Sequence, residues 1–369
     1  MNDIPSKLLT VDDFEAVACD RLTEGTFVNG AFDYIAGGAG EEWTLRENRR
    51  AFHRWTIRPR VLVDVGEVDL TTTLLGQEVA FPIMLAPTSF QRLFHEEGEV
   101  ATAKGASALN ALMIAATVAT TSLEKIAETG VLRWFQLYKL LDRGLTEQLA
   151  KRASQAGYGA IVLTVNAPLL GRRLRDERND LSLPPNMDLE NLRGSGLPVE
   201  IRGGLGSFFL ARHDPRLTWQ DIAWIKDLTP LPLVLKGVMA AEDVKRAIDV
   251  GVSGVILSNH GGRQLDGAPA TLDVLPDAVD AAAGEIEIYM DGGVRTGPDV
   301  LKALALGARA VLIGRPYLWG LIVRGEQGVA EILRMLRDDL QLTMTLAGLP
   351  SVSMIDRSAV APARCHSCY

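Results

Sequence analysis

From about residue 81 onward, the chain alternates between short apolar runs and amphipathic stretches with helical spacing. The apolar runs are rich in β-branched residues and leucine, which is typical of strands buried on both faces of a parallel sheet. Eight such runs occur, at residues 81–86, 111–116, 132–137, 160–165, 231–235, 252–257, 285–290 and 308–313. The pattern therefore predicts eight buried strands.

Between most of these runs, apolar positions recur every three or four residues, as on one face of a helix. The clearest predicted helices cover residues 101–109, 145–156, 241–250 and 297–306. Alternating strands and helices predict an α/β fold, and eight strands are the number that closes a (β/α)8 TIM barrel. The alternative is an open doubly wound sheet, which would need a GxGxxG turn after its first strand. Pro87-Thr88-Ser89-Phe90 stands there instead.

Two segments extend this simple plan. The N-terminal segment is predicted to be helical. Thr10 is a typical N-cap residue, and Asp12 and Asp13 would lie in the first turn, where acidic side chains are favourable. The connection between the fourth and fifth strands is long and is predicted to form a lid loop over about residues 175–217. We expect a single domain over residues 1–369, with the barrel at about 81–325.

Polar residues, together with one proline and two glycines, collect where the predicted strands end, which packing alone does not require. They are Pro87, Thr88, Ser89, Gln136, Tyr138, Thr164, Asn166, Lys236, Ser258, His260, Asp291, Gly293, Arg295, Gly314 and Arg315. Active sites of (β/α)8 barrels lie at this end, and phosphate is commonly bound after strands seven and eight. The glycines there, with Arg295 and Arg315, predict a site for a phosphorylated cofactor or substrate.

Residues 258–267, Ser-Asn-His-Gly-Gly-Arg-Gln-Leu-Asp-Gly, carry the strongest chemical signal. His260 titrates near neutral pH, and the guanidinium of Arg263 suits a carboxylate, so this loop predicts a base beside an anion site. A polar connector is the weaker alternative, because flexible glycines are costly in a mere linker. Lys236 is predicted to place a cation at the barrel mouth, the alternative being a surface lysine.

Composition argues against several other classes of protein. A net charge of −8 disfavours a nucleic-acid partner, and no apolar run approaches the length of a membrane span. Residues 1–10 do not resemble a signal peptide. Cys19, Cys365 and Cys368 are too few for a disulfide framework, and one CxxC pair does not make a zinc site. No metal is expected, and the predicted location is the cytoplasm.

Several stretches, in order along the chain, resemble the FMN-dependent 2-hydroxy acid oxidase and dehydrogenase family. Besides SNHGGRQLDG they are APTSFQ (86–91), FQLY (135–138), GRR (171–173), LKG (235–237) and DGGVRTG (291–297). Within the family, residues 91–95 and 171–176 are most similar to the (4-hydroxy)mandelate oxidases. The resemblance implies FMN as the cofactor and, by analogy with barrels of this family, a homotetramer.

The resemblance also implies a role for each candidate residue. His260 is the base, Arg263 and Arg173 bind the substrate carboxylate together with Tyr34, and Tyr138 contacts the substrate hydroxyl. Lys236 supplies positive charge to the reduced cofactor. FMN is held by Pro87, Thr88, Ser89, Gln136, Thr164, Lys236, Ser258, Asp291, Gly293, Arg295, Gly314 and Arg315.

Two positions depart from the family pattern. Asn166 stands where the family usually has an aspartate, which would stabilise the protonated histidine as the orienting carboxylate of a catalytic triad does. Asparagine can orient the ring but carries no charge, so either turnover is lowered or another acid substitutes. Val118 stands where glycolate-type enzymes have a tryptophan, which leaves room for a larger substrate side chain.

The sequence thus predicts FMN-dependent oxidation of an L-2-hydroxy acid, of the mandelate or 4-hydroxymandelate type, to the 2-oxo acid. Oxygen is the predicted acceptor and hydrogen peroxide the product. Four alternatives stay open. They are a lactate- or glycolate-type oxidase, a dehydrogenase with another acceptor, an FMN barrel acting on a phosphorylated substrate, and a weakly active flavin-binding protein.

Overall fold

A computed structural model describes residues 7–24, 29–181, 184, 187–193 and 212–363. Three short strands come first: β1 (Trp55–Ile57), β2 (Thr72–Leu74) and β3 (Gln77–Val79). The longer series that follows is β4 (Ile83–Leu85), β5 (Leu112–Ala116), β6 (Leu132–Leu137), β7 (Ile161–Thr164), β8 (Leu233–Val238), β9 (Gly254–Leu257), β10 (Glu287–Asp291) and β11 (Ala310–Ile313). A last short strand is β12 (Val360–Pro362), which pairs with β1.

Strands β4 to β11 form a closed parallel barrel. Each pairs with its neighbour in the chain, and β11 pairs with β4 to complete the circle. The predicted TIM barrel is confirmed, and every predicted apolar run overlaps one of these strands. The fifth barrel strand, β8, runs further than predicted, because a register shift between Lys236 and Val238 carries the ladder past Lys236.

Helices surround the barrel and precede it. The α-helices are Val11–Glu24, Ala31–Ala36, Trp43–Arg50, Gly98–Ser107, Leu123–Ala127, Arg143–Gln155, Leu174–Arg178, Trp219–Lys226, Ala241–Asp249, Thr271–Ala282, Gly297–Ala305 and Arg315–Ala347. The 3-10 helices are Ala51–Arg54, Gln91–Leu93, Glu190–Leu192, Val352–Met354 and Arg357–Ala359. In the described part of the chain, no helix is both long and apolar enough to cross a membrane.

The predicted N-terminal helical segment is confirmed. Thr10 Oγ1 accepts from the Asp13 amide at 3.1 Å, and Asp13 Oδ2 accepts from the Thr10 amide at 2.9 Å. These reciprocal bonds cap the first helix. Most of residues 182–211, which belong to the predicted lid loop, lie outside the described residues. Cys365 and Cys368 also lie outside them.

Side chains alternate between the barrel interior and the layer of helices, because successive residues of a strand point to opposite faces. The interior cluster contains Met84, Ile114, Trp134, Val162, Val234, Ile256, Tyr289 and Leu312. Leu74 and Val79 of the β2–β3 hairpin join this cluster, and the Leu75 amide donates to Glu287 at the start of β10 at 3.2 Å. The hairpin therefore closes the amino-terminal end of the barrel and leaves the carboxyl end for function.

Glu99, fully buried in the helix Gly98–Ser107, fastens the loops that follow β4 and β5. Its carboxylate accepts from the Thr120 amide at 2.9 Å, the Thr120 hydroxyl at 2.7 Å, the Thr121 hydroxyl at 3.0 Å and the Gln91 amide at 3.3 Å. One side chain thus satisfies four donors from two loops at the carboxyl end of the barrel.

We expect Glu99→Gln to lower the free energy of unfolding by about 1–3 kcal/mol, because the amide nitrogen cannot accept and leaves buried donors unpaired. Urea unfolding of the variant measures this loss. Glu97→Gln is the matched control, since Glu97 is an exposed residue at the start of the same helix. Equal stabilities of the two variants would contradict the assigned role of Glu99.

Candidate active site

A cavity opens at the carboxyl ends of the barrel strands, opposite the end that the hairpin closes. It gathers most of the residues predicted from the sequence. Those that line it are Tyr34, Pro87, Thr88, Ser89, Val118, Gln136, Tyr138, Thr164, Arg173, Lys236, His260, Arg263, Asp291, Gly293, Arg295, Gly314 and Arg315. Asn166 and Ser258 are outside this lining and contact residues that belong to it.

His260 lies in the cavity wall in a left-handed backbone conformation, with φ 61, that few residues other than glycine adopt. Its amide donates to Ser258 Oγ at 3.0 Å, and its Nδ1 lies 3.2 Å from Asn166 Oδ1. Asn166 Nδ2 donates in turn to the Ser258 carbonyl at 2.9 Å. The ring is therefore held at Nδ1, which leaves Nε2 as the nitrogen available to a ligand.

The pKa of His260 is held well below its usual value. Burial is the largest cause, followed by the positive charges of Lys236, Arg173, Arg263 and Arg315. Asn166, the direct partner of the ring, brings no negative charge to offset them. The imidazole is therefore neutral at neutral pH, which is the form that accepts a proton.

Arg173 and Arg263 place two guanidinium groups in the same wall. Arg263 donates to the carbonyls of Tyr34 and Gly37, and its Cζ lies 4.8 Å from the centre of the Tyr34 ring. The Asp176 carboxylate stands 3.9 Å from Arg173, too far for a close ion pair. Burial, together with Arg263, lowers the pKa of Arg173 to about 10. Such a pair is suited to binding a further carboxylate or phosphate.

The loops that carry these two arginines are packed against each other. Gln264 Nε2 donates to the carbonyls of Asn166 and Leu169, at 3.1 and 2.8 Å, and its Oε1 accepts from the Gly171 amide at 3.0 Å. A Cβ at Gly171 would lie 2.4 Å from the Arg263 carbonyl oxygen. Glycine in the GRR stretch is therefore required by the close approach of the two loops.

Lys236 lies within β8, and its ammonium group is buried. Its Nζ is 2.8 Å from both Ser258 Oγ and Asp291 Oδ2, which contradicts the alternative of a surface lysine. The second carboxylate oxygen of Asp291, Oδ1, is buried and has no hydrogen-bond partner within the described structure. Asp291 lines the cavity, so this oxygen is an acceptor that a ligand can satisfy.

Arg295 and Arg315 form a second cationic region after β10 and β11. Arg315 donates to the carbonyls of Ile35 and Gly37, both at 2.8 Å, and Arg295 stands 3.7 Å from Glu15. Burial is the first cause that lowers the pKa of both groups. Buried guanidinium groups without a close carboxylate favour a bound anion.

The backbone beside these arginines is glycine for two different reasons. A Cβ at Gly293 would lie 2.1 Å from the Asn48 carbonyl oxygen, so the chain packs too tightly there for any side chain. A Cβ at Gly314 would meet only Ala86 Cβ, at 4.0 Å, so that residue faces open space. Bare backbone beside two guanidinium groups suits a phosphate.

Polar side chains also connect the ends of neighbouring strands. Gln136 Oε1 accepts from the Thr117 amide at 3.1 Å, and its Nε2 donates to Thr164 Oγ1 at 3.0 Å. Thr88 hydrogen-bonds through its hydroxyl to Tyr317. These bonds orient the side chains along the cavity before any ligand binds.

Tyr138 and Val118 contribute to the same cavity. Burial raises the pKa of Tyr138 to about 12, so its hydroxyl stays protonated and can donate a hydrogen bond. Val118 is buried, and its carbonyl accepts from the Phe90 amide at 3.4 Å. Phe90, which the sequence analysis did not single out, therefore forms the wall next to Val118.

The sequence analysis also missed the helix Trp43–Arg50, which supplies Leu45, Asn48 and Arg49 to the cavity. Arg49 donates to the Gly293 carbonyl. Asn48 and Asn259 exchange two side-chain hydrogen bonds, at 2.9 and 2.7 Å. The one signal in the sequence that could have indicated this helix was Asn259 of the SNHGGRQ stretch. Its buried side-chain amide needs a hydrogen-bond partner from another part of the chain.

The residues present fit FMN, which combines a phosphate, a hydroxylated chain and a flat polar ring. The region of Arg295, Arg315 and Gly314 suits the phosphate, and the unpartnered oxygen of Asp291 can accept from a hydroxyl group. Lys236 provides a fixed positive charge deeper in the barrel.

Comparisons with known proteins agree with this fit. Residues 24–362 match the FMN-dependent dehydrogenase family. The chain is 50% identical over 348 residues to an L-lactate oxidase of Nostoc sp., covering 92% of this chain and 95% of that protein. It is 46% identical over 359 residues to the glycolate oxidase of Spinacia oleracea, covering 96% of each.

A solved structure of mandelate oxidase with (S)-4-hydroxymandelic acid superposes with a TM-score of 0.90 at 39% identity, covering 97% of this chain and all of that one. The match extends over the barrel and the helices before it. On this evidence the chain belongs to the FMN-dependent dehydrogenase family, and FMN is its cofactor.

Proposed function

We propose that this enzyme oxidises an L-2-hydroxy acid to the 2-oxo acid, with oxygen as the final acceptor and hydrogen peroxide as the product. The observation that carries the proposal is one cavity in which a neutral, half-buried histidine adjoins two guanidinium groups that lack close carboxylate partners. A 2-hydroxy acid supplies both a carboxylate and a proton to be removed. FMN, when bound, supplies the site that accepts two electrons.

The carboxylate would bind to Arg173 and Arg263. Both groups are buried or partly buried, and a bidentate contact with a carboxylate is the strongest that guanidinium makes. The Tyr34 hydroxyl would add a hydrogen bond. Its ring is fixed between the Arg263 guanidinium, at 4.8 Å, and the ring of Phe94, whose centroid is 6.2 Å away.

His260 would accept the proton of the substrate at Nε2. Asn166 holds Nδ1 and so fixes both the ring orientation and the nitrogen that reacts. Tyr138 would donate its hydroxyl to the substrate oxygen, a role that its raised pKa supports because the group stays protonated. Lys236, Asp291, Arg295 and Arg315 would hold FMN, with Pro87, Thr88, Ser89, Gln136, Thr164, Ser258, Gly293 and Gly314.

Asn166 replaces the aspartate of the family and does contact the base. Among the leading causes of the His260 pKa shift, no carboxylate appears. We therefore propose that orientation alone is retained, and that the protonated base is less stabilised than in a histidine–aspartate pair.

An aromatic substrate is supported by Val118, which leaves space in the wall next to Phe90, and by the likeness to mandelate oxidase. A lactate- or glycolate-type substrate is the second candidate, supported by the 50% and 46% identity to the lactate and glycolate oxidases. The names of all these relatives support oxygen over another acceptor.

The cytoplasmic location and the homotetramer stay predictions, as does the single domain.

Anaerobic mixing of the yellow enzyme with L-mandelate, 4-hydroxymandelate, L-lactate and glycolate tests the proposal. We expect each active substrate to bleach the flavin absorbance, with mandelates the fastest, and air to restore the colour with release of hydrogen peroxide. No bleaching by any of the four would refute the proposed reaction and favour a flavin-binding protein. Faster bleaching by lactate or glycolate would establish the second candidate.

We expect His260→Ala to slow anaerobic flavin reduction by about 10²–10⁴-fold, because the base is lost, while FMN stays bound. Stopped-flow absorbance measures the rate, and the absorbance ratio of flavin to protein measures the FMN content. His53→Ala is the matched control, since His53 is an exposed histidine that is not among the residues lining the cavity. A His260→Ala rate within a few-fold of the parent would show that another group removes the proton.

We expect Val118→Trp to lower the ratio of kcat/KM for mandelate over lactate by at least about tenfold, because the larger side chain fills the space for an aryl group. Steady-state kinetics with both substrates measure the ratio. Val118→Ala is the control and should leave the preference for the larger substrate in place. An unchanged ratio in the tryptophan variant would place the substrate side chain elsewhere.

A further inference from the structure

His213 lies within the predicted lid loop, where the sequence analysis gave no residue a role, yet it supports the cavity from behind. Its side chain is buried, and its ring meets the Tyr138 ring edge to face, with centroids 5.2 Å apart and an interplanar angle of 86°. It also donates to the Ala167 carbonyl. Tyr138 and Ala167 both line the cavity, so one imidazole contacts the ends of two neighbouring strands.

The backbone around His213 is fixed in place. The Leu141 amide donates to the Arg212 carbonyl at 2.8 Å, and the Asp214 amide donates to the Lys139 carbonyl at 3.1 Å. Lys139 Nζ, itself buried, reaches the carboxylates of Asp214 at 3.2 Å and Asp221 at 3.1 Å. Residues 212–214 are thus fastened to the residues directly after Tyr138.

We propose that His213 is a positioning residue, which sets the orientation of Tyr138 toward the substrate. The inference rests on the proposed function, in which the Tyr138 hydroxyl donates to the substrate oxygen. An aromatic ring packed edge to face restricts the tilt of its partner, and the bond to Ala167 restricts the tilt of the imidazole itself. The hydroxyl of Tyr138 therefore points in one direction before substrate arrives.

The chemistry of His213 suits support rather than proton transfer. Burial lowers the pKa of His213 to about 4, so the ring is neutral over the working range of pH. It is also absent from the residues that line the cavity, while His260 is among them. His213 therefore acts on the reaction through Tyr138.

A double-mutant cycle with His213→Ala and Tyr138→Phe tests this inference, because residues that act as a unit give non-additive effects. In the parent, His213→Ala should slow anaerobic flavin reduction by about tenfold, the order of one ring contact and one buried hydrogen bond. In the Tyr138→Phe background it should slow reduction by no more than about twofold. Equal slowing in both backgrounds, or none in either, would overturn the proposal.

Two further readouts separate positioning from a general loss of structure. The Kd for the non-reactive 2-oxo acid product should stay within about threefold of the parent, because Arg173 and Arg263 are untouched. In a crystal structure of His213→Ala, the Tyr138 ring should be rotated or occupy more than one orientation. An unchanged Tyr138 ring with slow reduction would overturn the proposal.

His213→Phe keeps the ring contact and decides the matter if the alanine variant does not fold. It should reduce the flavin faster than His213→Ala and within about threefold of the parent, whereas a folded phenylalanine variant slowed tenfold or more would contradict the ring contact. Gln220→Ala is the matched control, since Gln220 is an exposed residue of the helix Trp219–Lys226, which directly follows this segment. If the parent itself is not reduced by any 2-hydroxy acid, the proposed function fails rather than this inference.

Discussion

Burial of positive charge around one cavity, with too few carboxylates to match it, is the constraint on which this site depends. The guanidinium groups of Arg173, Arg263 and Arg315 donate to backbone carbonyls, and Gly37 serves two of them. Arg295 stands 3.7 Å from Glu15. An unpaired buried charge is costly, so such an arrangement gains stability from anions that bind to it. In the proposed reaction the anions are the FMN phosphate and the substrate carboxylate.

Positive charge around the cavity also affects His260, the proposed base. Lys236, Arg173, Arg263 and Arg315 add to burial in lowering the pKa of His260, and Asn166 offers orientation without a compensating charge. A neutral imidazole is therefore available at neutral pH, but its protonated form is disfavoured. In the proposed reaction the enzyme would thus gain a ready base and lose part of the stabilisation that a carboxylate partner would give.

Much of the fold and part of the site could be predicted from the sequence, because both leave local signals. Apolar runs separated by helical patterns identify the barrel, and the closure of the strands brings their carboxyl ends together, including residues as distant as Thr88 and Arg315. Asn48 and His213 left no such signal, since each acts through a tertiary contact with a residue far along the chain. The sequence pattern ends the fifth strand at residue 235, whereas the strand continues past Lys236 through a local register shift. The hydrophobic pattern gives no sign of such a shift.

The pH dependence of kcat/KM for flavin reduction, in the parent and in Asn166→Asp, tests the central claim most directly. This ratio reports the ionisation of the free enzyme, and the proposed base is active only when neutral. The account predicts that activity falls on the acid side with an apparent pKa below the ordinary histidine value of about 6.5. Asn166→Asp should move that pKa upward, because a carboxylate favours the imidazolium. An apparent pKa above 7 in the parent, or identical profiles in two folded, FMN-loaded proteins, would contradict the account.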